Sequence, residues 1–119
     1  MQLVLVVDDY ADARELLETV LTKAGYLAVT ASDGAEGLEV ARAARPDAIV
    51  MDIDMPVMDG IAATHRLKGD SRTASIPVIA YTAQPQPIDA PHLFAAICVK
   101  PCAPDVLLAL LRQTLESAS

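Results

Sequence analysis

Leu3-Val4-Leu5-Val6-Val7-Asp8-Asp9 sets five aliphatic residues directly before two carboxylates. A run with no polar alternation suits a strand covered on both faces, the situation of a parallel sheet flanked by helices. The next segments keep that rhythm. Residues 12–24 place Ala13, Leu16, Leu17, Val20, Leu21 and Ala24 on one helical stripe, and Gly25 supplies a stop. Leu27–Ala31 reads as a second strand. Asp33 then caps a helix with Glu36 three residues on, Ala35, Leu38 and Ala41 on its inner face, and Pro46 beyond its end.

Ala48–Met51 reads as a third strand running into Asp52, and Asp59 caps a helix that starts at Gly60-Ile61 and ends near Lys68. After a polar loop at 69–75, Pro77–Tyr81 and Ala96–Val99 read as strands four and five, and Pro104 with Asp105 opens the last helix. Five strands alternating with helices predict a single α/β domain over 1–119, a flavodoxin-like doubly wound parallel sheet with right-handed crossovers. The crossover at 83–94 holds Pro85, Pro87 and Pro91, so a short turn near His92–Ala95 or an irregular loop is expected where a fourth helix would sit. There is no internal repeat, linker or low-complexity tail.

The 119 residues are 53 % hydrophobic and 3 % aromatic, a globular composition with a core of Val, Ile, Leu and Ala. A formal charge of −7 argues against binding nucleic acid or an anionic membrane and favours divalent cations or basic partners. No apolar run reaches membrane-spanning length and the N-terminus is no signal peptide, which places the chain in the cytoplasm. Cys98 and Cys102 read as a reduced pair, too few for a structural zinc site. His65 and His92 read as exposed, and Met51, Met55 and Met58 as packing.

The chemistry gathers at one edge. Asp8 and Asp9 follow strand one, Asp52 ends strand three, Thr82 ends strand four and Lys100 follows strand five. All lie at the carboxyl ends of parallel strands, where open α/β sheets bind ligands. With strand order 2-1-3-4-5 the three carboxylates meet at the switch point. Crowded carboxylates repel unless a hard divalent ion such as Mg²⁺ joins them, and such a site with a lysine and a hydroxyl beside it suits phosphoryl transfer. A carboxylate can itself be the nucleophile, giving an aspartyl phosphate.

Asp8-Asp9, Met51-Asp52-Ile53-Asp54-Met55-Pro56, Met58-Asp59-Gly60, Thr82-Ala83 and Lys100-Pro101 together resemble the receiver domain of bacterial response regulators, in order over nearly the whole chain. The resemblance implies a two-component or phosphorelay signalling domain whose Asp52 is phosphorylated from a phosphohistidine on a histidine kinase or phosphotransfer protein. It implies Mg²⁺ held by Asp9 and Asp52, with the Asp54 backbone carbonyl completing the site and Asp8 acting largely through water. Thr82 and Lys100 are implied to bind the phosphoryl oxygens, and the Lys100–Pro101 bond to be cis. Such a domain accepts a phosphoryl group and catalyses its own transfer without being a conventional enzyme.

Two positions depart from that family. Ile97 stands where receivers usually carry Tyr or Phe, and Cys102 where Phe is frequent. With the proline-rich crossover, these predict ordinary phosphorylation with an altered readout. The last helix carries Val106, Leu107, Leu108, Leu110, Leu111 and Leu115, more than one stripe, which suggests a homodimer or partner surface at 104–115. The alternative is a pseudo-receiver, an interaction module that takes no phosphate. A haloacid-dehalogenase-like phosphatase would carry its Asp-x-Asp motif after strand one in a longer chain. A flavodoxin-type flavin site would need a hydroxyl- and glycine-rich loop where Asp8-Asp9-Tyr10-Ala11-Asp12 stands.

Overall fold

The computed structural model describes residues 1–55, 58–83 and 91–118. Strands β1 (Leu3–Val7), β2 (Leu27–Ala31), β3 (Ala48–Asp52), β4 (Val78–Thr82) and β5 (Ala96–Val99) alternate with helices α1 (Ala11–Lys23), α2 (Gly34–Ala44), α3 (Gly60–Lys68) and α4 (Pro104–Ala118). All neighbouring strands are parallel, in the order β2-β1-β3-β4-β5. This is the doubly wound flavodoxin-like sheet expected from the alternation.

Strand residues divide between two cores because successive side chains point to opposite faces. Leu5, Val7, Ile49, Met51, Val78 and Ala80 pack with Leu38, Ala41, Ala63 and Leu67 of α2 and α3. Val4, Val6, Val50, Ile79 and Cys98 pack with Leu17 and Leu21 of α1 and Leu107, Leu111 and Leu115 of α4. Each face carries two helices, which explains the unbroken aliphatic runs of β1 and β3.

The element boundaries differ from expectation by a residue or so. Helix α1 begins at Ala11, and β4 is displaced one residue toward its carboxyl end, so that Thr82 lies within it. Leu16 is exposed, off the buried stripe of Leu17 and Leu21. Ala35 is exposed as well, and the inner face of α2 is formed by Gly34, Gly37, Leu38 and Ala41. The Asp33 and Asp59 caps form as anticipated, accepting from the backbone N–H groups of Glu36 and Ala62. Gly25 takes the left-handed conformation at φ 96°, which glycine adopts without the Cβ clash.

Between β4 and β5 the described part of the crossover is a single 3-10 turn, Pro91–Leu93, in place of a helix. Pro85 and Pro87 lie outside the described residues, as does Pro56. In α4 the apolar excess is mostly absorbed within the chain. Leu107, Leu111 and Leu115 are buried and Leu108 and Leu110 pack on the same cluster, leaving Val106 exposed.

Gly60 fixes how closely α3 approaches the sheet. A Cβ there would strike the backbone oxygen of Asp52 and come within 2.8 Å of Ile53 Cα. Backbone cannot yield as a flexible side chain can. Gly60→Ala is therefore expected to cost about 1–3 kcal/mol, measured by denaturant unfolding, whereas Gly69→Ala, whose Cβ would lie 3.4 Å from the nearest atom, should cost far less.

Candidate functional site

The register of the sheet brings the acidic residues together. Val7 lies opposite Met51, so the residues that follow, Asp8 and Asp52, leave adjacent strands side by side. Oxygens of Asp8, Asp9 and Asp52 all lie within 4.8 Å of one another. Asp8 and Asp52 are buried while Asp9 is exposed, so the cluster is a cleft with one wet side.

Asp8 is tightly placed. Its Oδ1 accepts from the Tyr10 backbone N–H at 2.9 Å, and its backbone oxygen accepts from Arg14 Nη1 at 2.8 Å. Its Oδ2 is buried with no hydrogen-bond partner among the described residues. An orphaned buried carboxylate oxygen costs free energy, and this one lies in the cluster where two further carboxylates converge. The donor set is all oxygen, open on one side, and fits a hard divalent cation such as Mg²⁺.

Asp52 Oδ1 accepts from the Asp54 backbone N–H at 3.0 Å and meets Lys100 Nζ at 3.5 Å. Burial raises its pKa to about 6; the Asp54 N–H opposes the rise, the nearby Asp8 charge adds to it and Lys100 opposes it. Lys100 is itself fixed from two sides. Its backbone N–H donates to Thr82 O at 2.7 Å, and its ammonium lies 4.7 Å from the centroid of the Tyr81 ring. The Lys100–Pro101 bond is cis.

Thr82 is buried at the end of β4, and its hydroxyl donates to Asp54 Oδ2 at 3.2 Å. The Ala83 backbone N–H donates to the same oxygen at 3.1 Å. The Asp54 side chain thus belongs to the Thr82 corner, a role that sequence did not suggest. Tyr81 was missed as well; its only sequence signal is its place beside Thr82, with a ring able to carry a cation on its face. His65 and His92 are exposed, and Met51, Met55 and Met58 pack, as anticipated.

The cysteines depart from expectation. The sulfurs of Cys98 and Cys102 are in bonding contact, with Cα atoms 6.0 Å apart. The sequence alone suggested a separate reduced pair, because four residues of spacing say nothing about a chain that folds back after β5.

The sequence profile of the response regulator receiver domain matches residues 4–112. The chain belongs to the response regulator receiver family. It is 38% identical over 89 residues to Protein PilH of Pseudomonas aeruginosa, covering 75% of this chain and 74% of that one. It is 51% identical over 65 residues to the transcriptional regulatory protein PrrA of Mycobacterium tuberculosis, covering 55% of this chain but 28% of PrrA. A probable transcriptional regulator of Guillardia theta, ycf27, is 44% identical over 80 residues, which are 67% of this chain and 30% of that relative. Against the two transcriptional regulators, then, the chain spans under a third of the relative's length.

Among solved structures, the chemotaxis protein CheY4 of Vibrio cholerae superposes with a TM-score of 0.90 at 33% identity, covering 96% of this receiver and 98% of CheY4. Receiver domains are signalling modules. Among the described residues, no helix is long and apolar enough to cross a membrane.

The raised pKa of Asp52 has a defined sign. The folded receiver holds the Asp52 proton more tightly than the unfolded chain, so this group's contribution to stability is greatest at low pH. It declines as pH rises from the ordinary value of 3.8 through about 6, and is level above that. Without divalent ions, Asp52→Asn should be more stable than the parent above pH 6, by about 1–2 kcal/mol after solvent screening, with the difference closing toward pH 4. Thermal unfolding of both proteins in EDTA across that range checks it, and a constant difference would refute the assignment.

Proposed function

We propose that Asp52 accepts a phosphoryl group from a phosphohistidine on a histidine kinase or phosphotransfer protein, with Mg²⁺ held by Asp8, Asp9 and Asp52. The observation that carries this reading is the convergence of those three carboxylates within 4.8 Å, with Lys100 Nζ 3.5 Å from Asp52 Oδ1. The family supplies the signalling role; the residue roles rest on geometry and on the motif positions.

Asp52 is oriented before it reacts. The Asp54 N–H and Lys100 both hold Oδ1, which sets the plane of the carboxylate. A carboxylate oxygen then attacks phosphorus, the P–N bond to the donor imidazole breaks, and the imidazole leaves with the bonding pair and takes up a proton. Bound Mg²⁺ supplies neutralisation of the negative charge spread over the phosphoryl oxygens. Asp8, through an Oδ2 with no partner among the described residues, and Asp9 on the wet side hold the cation. The Asp54 backbone carbonyl completes its protein ligands, in keeping with the family pattern.

Lys100 pairs with a phosphoryl oxygen once Asp52 has become an acyl phosphate and has lost its own charge. Thr82 exchanges its hydrogen bond to Asp54 for one to the phosphoryl group, leaving the Ala83 N–H on the Asp54 carboxylate. Ile97, exposed on β5, stands where the family usually places the aromatic that registers this exchange. The readout is accordingly carried by other residues. The location proposed for this chemistry is the cytoplasm, where kinase and phosphodonor are available.

Labelling with acetyl phosphate and Mg²⁺, followed by intact mass measurement, tests the assignment. The parent should gain one phosphoryl group, Asp52→Asn none, and Lys100→Met should lose on the order of 10²-fold in rate, as for removal of one charge-stabilising donor. A pseudo-receiver would remain unlabelled under all conditions. Equal labelling of parent and Asp52→Asn would place the acceptor elsewhere.

A further inference from the structure

The proposed phosphoryl chemistry uses neither Cys98 nor Cys102. They bracket Val99-Lys100-Pro101, the segment that presents Lys100 to Asp52. Cys98 is buried at the end of β5 among Ile79, Leu107 and Leu111. Cys102 is only partly buried, in the stretch between β5 and α4 that has no regular secondary structure. Their sulfurs are in bonding contact and their Cα atoms are 6.0 Å apart, inside the usual 4.4–6.8 Å span of a disulfide.

We propose that Cys98 and Cys102 form a reversible thiol–disulfide site, oxidised by a low-molecular-weight disulfide, that clamps the Lys100 segment. The exchange has two steps. The Cys102 thiolate, on the accessible side, attacks one sulfur of the reagent disulfide; a mixed disulfide forms and one reagent thiolate leaves. The Cys98 thiolate then attacks the Cys102 sulfur, closing the Cys98–Cys102 bond and expelling the second thiolate. Two cysteine thiols are oxidised and one reagent disulfide is reduced to two thiols, which take up the two cysteine protons. In a reducing compartment the dithiol is the resting form and the bond is transient.

The clamp acts on the segment where the geometry needs it. Lys100 is tied on its amino side by its backbone bond to Thr82 O. On its carboxyl side, residues 100–103 belong to neither strand nor helix. A bond from Cys102 to the buried Cys98 anchors that second side and removes freedom from the backbone that carries the ammonium. The part of the proposal that concerns rate rests on Asp52 being the phosphoryl acceptor. Preorganising Lys100 is then expected to speed phosphoryl acceptance roughly threefold.

The test uses the whole chain equilibrated in buffers of oxidised and reduced glutathione, quenched in acid, then unfolded in denaturant, alkylated and read by intact mass. Two alkyl groups should appear at the reducing end and none at the oxidising end, interconverting without a persistent glutathione adduct. Cys98→Ala should instead hold one glutathione on Cys102, and Cys102→Ser should hold none, because Cys98 is buried. Two alkyl groups at every poise, or a glutathione adduct that never resolves in the parent, overturns the site.

Acetyl phosphate labelling of the two forms reads the clamp. The oxidised parent should be faster than the reduced, and Cys102→Ser should show no dependence on poise. Equal rates in both parent forms overturn the clamp. Absence of labelling in either form overturns the Asp52 reading and the clamp together, while the mass titration continues to decide the thiol site by itself.

Discussion

Three carboxylates brought within 4.8 Å of one another are the constraint around which the rest of the site is arranged. Two are buried, and the pKa of Asp52 rises to about 6, chiefly because burial strips water from its charged form and further because the Asp8 charge lies beside it. The fold accepts that cost because the strand register leaves little alternative. With β1 paired to β3 and Val7 opposite Met51, the next residue of each strand must emerge at the same edge. The compensation is partial: one backbone N–H and one lysine for Asp52, one backbone N–H for Asp8, and a buried Asp8 oxygen with no partner among the described residues. An arrangement that is electrostatically incomplete as a bare protein is one poised for a cation.

Rigid approach between helices and sheet keeps that edge in place. Gly37 lets α2 close on β1, where a Cβ would come within 2.9 Å of Val7 Cγ2, and Gly60 lets α3 close on the backbone of Asp52 and Ile53. Both glycines act at strand ends that carry site residues. Helix packing and acid placement are therefore not independent: a side chain inserted at Gly60 would displace the backbone that carries the Asp52 carboxylate. The Gly60 backbone N–H also donates to Ile53 O at 3.2 Å, tying the start of α3 to the residue after Asp52.

What could be read from sequence divides along physical lines. Buried parallel strands leave continuous aliphatic runs, and caps leave Asp followed by an amphipathic stretch, so β1, β3, α2 and α3 were legible from local pattern. Asp8, Asp9, Asp52, Thr82 and Lys100 were legible because strand ends in an alternating α/β chain all face one edge. Leu16 and Ala35 were misplaced because a helical stripe defined by hydrophobicity is wider than the line along which the helix touches the sheet. Tyr81, the Asp54 carboxylate, Gly37 and the Cys98–Cys102 pair were not legible. Each depends on how closely two segments distant in the sequence, or a chain turning back on itself, approach in space, and no periodicity encodes a distance.

Strand β4 shows how a change of charge at Asp52 can reach beyond the edge. Tyr81 and Thr82 are consecutive, so their side chains lie on opposite faces of the sheet. Tyr81 packs toward the α1–α4 core and bears the Lys100 ammonium over its ring, while Thr82 points to the other face and holds the Asp54 carboxylate. Lys100 and Asp54 in turn both bond to the same Asp52 oxygen, through the ammonium and the backbone N–H. Neutralising that carboxylate weakens both bonds at once, and the two partners rest on adjacent residues of one strand. The sheet thus receives the disturbance on both faces from a single atom. Tyr81 sits one strand inward of position 97, with the Lys100 ammonium over its ring.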